Sequence, residues 1–212
     1  NWYNSKGLTT YYPGHPFIEK SYDHKNRLEF FKKHSLNEGD PLLILLPGSR
    51  QQEIENHWPI FLKTVFLIIN KKPSTQFLVV KSNNINLKEV PNFIKVERYA
   101  TSALKYGTAA ISSSGTVTLE CAIAKLPTVV CYKTSYINWM LFKFLGKTDF
   151  ISIVNLIAEK KILPELIQGK MTPFNLFNSI APYLDTSSKE RKKTSESYKE
   201  LKLKLGPAGI FD

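Results

Sequence analysis

Residues 42–47 read LLILLP, five branched aliphatic residues in a row closed by a proline. The run is far too short to cross a bilayer and carries no polar alternation, so it cannot be a strand with one wet face. It fits a strand buried on both faces, which requires a helix layer on each side of its sheet. The chain supplies that pattern. After the run come GSRQQEIENHWP and then residues 58–71, WPIFLKTVFLIINK, with apolar residues at helical period. Strands are expected at 76–81, 93–99, 109–112 and 127–132, with helices at 102–107 and 118–125 between the later ones. Strands alternating with helices predict an α/β fold, a Rossmann-like parallel sheet flanked by helices. Residues 150–157, FISIVNLI, read as a strand or as the entry to a loop. A basic helix is expected at 23–35, an apolar one at 137–146, one at 172–184 with Thr172 and Pro173 at its cap and first turn, and a Lys/Glu-rich one at 187–205. A short strand at 9–12 runs into Pro-Gly-His-Pro, a path suited to a linker.

Composition narrows the function classes. With 42% hydrophobic and 22% charged residues in 212, the chain is globular. Its net charge of +11 favours anionic partners: nucleic acid, an anionic membrane face or a phosphorylated substrate. Lysine far outnumbers arginine, and neither an arginine-rich block nor an RNP-like aromatic motif occurs, so nucleic acid is not the expected partner. Cys121 and Cys131 lie in apolar stretches and read as reduced core residues. No His, Cys, Asp or Glu spacing points to a metal, and none of the four histidines, His15 and His57 included, forms part of a recognisable triad. Asn1-Trp2-Tyr3 begins neither a basic n-region nor an apolar h-region.

In parallel sheets ligands bind where strands empty into helices, at their carboxyl ends. Two such loops are chemically unusual. Pro47-Gly48-Ser49-Arg50 combines a glycine that admits close backbone approach, a hydroxyl and a planar cation suited to phosphate. Ser112-Ser113-Ser114-Gly115-Thr116 sets hydroxyls and small residues before a helix, an arrangement that favours an anion such as pyrophosphate. A capping role explains one serine, not three and a glycine. Glu120, four residues past Thr116, is placed to accept hydrogen bonds from a ribose diol. Neither GxGxxG nor GxxxxGK[ST] is present, so the fingerprints of dinucleotide and P-loop sites are missing. A fold that holds a nucleotide diphosphate without them is the C-terminal domain of a two-Rossmann (GT-B) glycosyltransferase.

The segments LLPGSRQQEIENHWP, SSGTVTLECAIAKLPTVVCYK and KTDFISIVNLIAEKKILPEL resemble, in order and spacing, the C-terminal domain of the lipid-A-disaccharide synthases, over about residues 10–206. The resemblance implies transfer of diacylglucosamine from UDP-2,3-diacylglucosamine to lipid X, giving the β-1,6 disaccharide 1-phosphate and UDP, with inversion and with neither metal nor other cofactor. It implies that residues 1–22 close an N-terminal domain and its linker, that 23–212 form the UDP-sugar-binding domain, and that the acceptor domain with the catalytic base lies outside this chain, which alone would bind UDP and turn over little. Gly48, Ser49 and Arg50 would bind the diphosphate, Arg50 stabilising the leaving group; Ser114, Gly115 and Thr116 would hold it from the other side; Glu120 would take the ribose. Asn155 matches a donor-site asparagine, although Val154 stands where the family has proline, Thr108 where aspartate is common and Lys133 where arginine is. Uracil is expected at backbone groups near residues 99–102. A cytoplasmic protein at the inner face of the inner membrane is implied, with a homodimer left open. Three other readings stay open beside this one: another GT-B UDP-sugar enzyme, a non-catalytic UDP-sugar-binding subunit, and a basic RNA- or membrane-binding module.

Overall fold

A computed structural model of the chain describes residues 2–10, 15, 17, 26–81, 85–135 and 150–206. Six strands form one all-parallel sheet: β1 (Leu42–Leu46), β2 (Gln76–Val80), β3 (Ile94–Glu97), β4 (Ala109–Ser113), β5 (Thr128–Tyr132) and β6 (Glu165–Ile167). Their order across the sheet is β3-β2-β1-β4-β5-β6. The chain builds outward from β1 in one direction, returns, and builds outward in the other. The reversal therefore falls between β1 and β4, and a crevice opens at their carboxyl ends.

The β1 run behaves as its composition demands. All five residues are buried, and they alternate between two cores. Leu43 and Leu45 face α3 (Gln51–Lys71) and the helix Pro173–Leu184, while Leu42, Ile44 and Leu46 face α2 (Arg27–Lys33), α4 (Ala100–Tyr106) and α5 (Val117–Ile123). Burying each such side chain contributes about 2 kcal/mol, enough to fix β1 as the central strand. A third cluster joins α5 to α6 (Ile153–Ala158) and to the last helix, Lys189–Lys204; the helix Pro173–Leu184 is α7 and the last is α8.

Several expectations shift. Helix α3 starts at Gln51, seven residues before Trp58, because Ile54, His57, Trp58 and Phe61 already form its buried stripe; Pro59 is accommodated inside it. Residues 153–158 are a helix, not a strand: Ser152 caps it by accepting from the Asn155 N–H at 3.2 Å. The three-residue edge strand β6 was not expected. Near the start, Trp2–Ser5 is a helical turn (α1), and Thr10 donates from both its N–H and its hydroxyl to Asn4 Oδ1. The expected helix at 137–146, most of the 9–16 linker and residues 18–25 lie outside the described residues. His15 is described: its N–H donates to the Leu205 carbonyl at 3.1 Å, at the end of α8. Among the described residues no helix is long and apolar enough to cross a membrane.

Candidate nucleotide-diphosphate site

The β1–α3 loop is shaped by one glycine and one acid. Gly48 has φ +140°, where side chains are strained, and a Cβ there would lie 2.7 Å from Glu53 Oε2 and 2.8 Å from Glu53 Cβ. Glu53 turns back from the first turn of α3 and accepts from the Ser49 N–H at 3.1 Å; its other oxygen stands 3.9 Å from Arg50 Nη1. The Arg50 side chain remains 83% exposed, which leaves its guanidinium donors available.

The same loop is clamped from below by His57, which is fully buried. The Lys133 N–H donates to Nε2 at 3.0 Å, so the ring's proton sits on Nδ1 and donates to the Pro47 carbonyl at 2.8 Å. Burial holds this imidazole below its ordinary 6.5 and keeps it neutral. His57 thus ties the end of β1 to the end of β5.

The β4–α5 loop is built differently. Two of its three serines are engaged internally: Ser112 donates to the Ser113 carbonyl, and Ser114 donates to the Ile151 carbonyl at 3.1 Å. The Ser114 N–H continues the ladder to Cys131. No side chain caps α5; Thr118 donates to the Gly115 carbonyl instead. Among the described residues nothing accepts from the amides of Gly115, Thr116 or Val117. Gly115 has an ordinary φ, and a Cβ there would meet no atom within 4 Å.

The third element is the turn after β3. Glu97 is buried and accepts from four donors: the Arg98 N–H (2.7 Å), the Tyr99 N–H (3.3 Å), Lys33 Nζ (2.6 Å) and His34 Nε2 (2.9 Å). Burial works against its charge, but these donors prevail and lower its pKa to about 2. The turn they fix carries Arg98 and Ala100 into the crevice.

These loops enclose one cavity of about 450 Å³, within the range of small-molecule sites. Gly48, Ser49, Arg50 and Glu53 line one side, residues 113–117 the facing side, and Arg98 and Ala100 the end. Gly48, Ser49, Arg50, Ser114, Gly115 and Thr116, expected from the sequence as ligand residues, thus meet in a single place. Two expected residues do not join them. Glu120 is half-buried in the first turn of α5, beyond the lining. Asn155 is fully buried and its amide is engaged within the protein: Oδ1 accepts from the N–H groups of Ile162 and Leu163, and Nδ2 donates to the Leu163 carbonyl and to Glu165. Thr108 is also structural, its hydroxyl accepting from the Leu42 N–H at 2.9 Å. Glu53 and Arg98 were missed. The helical spacing of Glu53 behind Gly48 was a usable signal; Arg98 offered none, since it reads as the end of a strand. Burial pushes the Cys121 thiol up to about 12 and raises Cys131 as well, so neither is a nucleophile. No group of three or more His, Cys, Asp or Glu among the described residues could hold a metal.

The sequence profile of the lipid-A-disaccharide synthetase family matches residues 1–208. The chain belongs to this family. It is 33% identical over 205 residues to the lipid-A-disaccharide synthase of Solibacter usitatus, covering 94% of this chain and 53% of that one. It is 31% identical over 219 residues to that of Syntrophus aciditrophicus, covering 99% and 57%. The chain therefore spans about half the length of these relatives. Among solved structures, the S. aureus MnaA–UDP complex superposes with TM-score 0.58 at 11% identity, over 96% of this chain and 51% of that one. WaaG, a glycosyltransferase involved in lipopolysaccharide biosynthesis, gives 0.53 at 15% identity, over 93% and 52%. At such identities the likeness is one of fold: a parallel-sheet domain of the GT-B type.

Proposed function

We propose that the chain carries the donor site of a lipid-A-disaccharide synthase, with residues 23–212 as the UDP-sugar-binding domain. It holds UDP-2,3-diacylglucosamine while the sugar passes with inversion to lipid X. The observation that carries this reading is the meeting of Arg50, Arg98 and the unclaimed amides of residues 115–117 in one cavity at the reversal of strand order. Two guanidiniums and a cluster of free N–H groups match a diphosphate in charge and in hydrogen-bonding sense. Charge that develops on the leaving UDP falls where Arg50 can stabilise it. Gly48 and Ser49 shape the wall beside it, Ser114, Gly115 and Thr116 face it, and a ribose that reaches past this lining along α5 would meet Glu120. Glu53 is committed to the Ser49 amide and is assigned no proton transfer. In this reading the protein works at the cytoplasmic face of the inner membrane as a peripheral protein, which the family's acyl-bearing substrates and the +11 charge, part of it on α8, support.

Calorimetric titration of UDP and of uridine tests the reading. The chain binds UDP more tightly than uridine, and both Arg50→Ala and Arg98→Ala weaken UDP while leaving uridine unchanged. Equal affinity for the two ligands, or no UDP binding, overturns it. A basic RNA- or lipid-binding module would instead retain RNA or anionic vesicles in the presence of saturating UDP.

A further inference from the structure

We infer that Glu165 is a positioning residue of the cleft, acting on the β4–α5 loop through the backbone of residues 151–152. Its half-buried carboxylate gathers three donors, two from the segment that precedes α6 and one from α6 itself. Oε2 accepts from the Ile151 N–H at 3.0 Å, and Oε1 accepts from the Ser152 N–H at 2.9 Å and from Asn155 Nδ2 at 2.8 Å. Asn155 braces this arrangement from behind, since its other three hydrogen bonds go to the backbone of Ile162 and Leu163, just before β6. With both of its own amide groups bound, the Ile151–Ser152 segment has a fixed pose. The Ile151 carbonyl then meets the Ser114 hydroxyl at 3.1 Å. That is the one side-chain hydrogen bond joining residues 113–117 to anything beyond α5 among the described residues.

Two consequences follow. The Ser114 hydroxyl has spent its only proton on Ile151, so it cannot at the same time donate to a phosphate oxygen. Its contribution is to orient the backbone that leads to the free amides of Gly115 and Thr116. Asn155, which sequence resemblance makes a donor-site residue, reaches the site at second hand, as the brace of Glu165. Both consequences rest on the reading of the cleft as a diphosphate site.

The test combines amide resonances of the ligand-free chain with UDP titration in the wild type, Glu165→Gln, Ser114→Ala and the double variant. Glutamine keeps the shape but presents an N–H group where an acceptor is needed. In Glu165→Gln the resonances of Ser114, Gly115 and Thr116 shift and UDP binds about 3- to 10-fold more weakly, the scale of one neutral hydrogen bond. Ser114→Ala gives a similar loss, and adding Glu165→Gln to it produces little more. A Glu165→Gln variant that melts earlier but keeps those resonances and its UDP affinity overturns the inference, as do losses that simply add in the double variant. If Glu165→Gln does not fold, Ser114→Ala decides alone: unchanged UDP affinity overturns the chain of contacts. Absence of UDP binding in the wild type is a different failure, that of the diphosphate reading, and the ligand-free resonances still decide whether Glu165 sets the loop.

Discussion

Gly48 and Gly115 face each other across one cavity, yet the fold needs only one of them. At Gly48 the backbone sits at φ +140° and the side chain of Glu53 fills the space a Cβ would take. At Gly115 the backbone is ordinary and the space is open. The first glycine is explained by the protein's own packing. The second has no such explanation, and a ligand lying against the loop supplies one. The loops differ likewise: 47–50 is held from within α3 by Glu53 and His57, whereas 113–117 is held by a segment 37 residues further along the chain.

Substitution at the two loops separates these roles. The largest effect is expected for Gly48→Ala, where backbone strain and the clash with Glu53 together cost about 3 kcal/mol of stability and disrupt UDP binding, read by thermal melting and titration. Next comes Arg50→Ala, which weakens UDP by about 10- to 100-fold, the scale of charge-assisted hydrogen bonds, and leaves the melting temperature nearly unchanged. Gly115→Ala sharpens the contrast: stability holds or rises by about 0.5 kcal/mol, because the unfolded chain loses freedom, while UDP affinity falls about 10-fold. A Gly115→Ala variant that binds UDP normally would remove the ligand as the reason for that glycine.

The smallest effect concerns pH. His57 and His34 both have pKa values lowered by burial, so the unfolded chain takes up protons that the folded one refuses. Stability therefore falls as pH drops below 6.5. Glu97, lowered to about 2 from 4.5, adds a separate loss as pH falls from 4.5 towards 2. His57→Gln should flatten the first slope and leave the second in place, as measured by urea unfolding at a series of pH values.

What could be read from the sequence follows the same division between near and far. The β1 run, the LPGSR loop and the SSSGT loop announce themselves because composition, spacing and the strand-to-helix junction all lie within a dozen residues. The roles of His57, Glu97 and Glu165 do not. His57 shows no metal or triad partner in the sequence because its partners are backbone groups, one of them 76 residues away. Resemblance marks Asn155 as a donor-site position without saying which atoms it touches; its side chain is buried and its hydrogen bonds stay within the protein. Strand β6 escaped notice because three half-buried residues on a sheet edge carry too little apolar pattern. Arg98 gains its meaning only from the sheet order, which sets β3 on the far side of β1 from β4.

In the proposed function, residues 48–50 and 113–117 form a single anion site. The most direct test is a UDP titration followed by the backbone amide resonances of the whole chain. Resonances of Gly48, Ser49 and Arg50 should move together with those of Gly115, Thr116 and Val117, along one binding curve, with Arg98 beside them. Movement confined to one loop, or two curves with different midpoints, would contradict the claim.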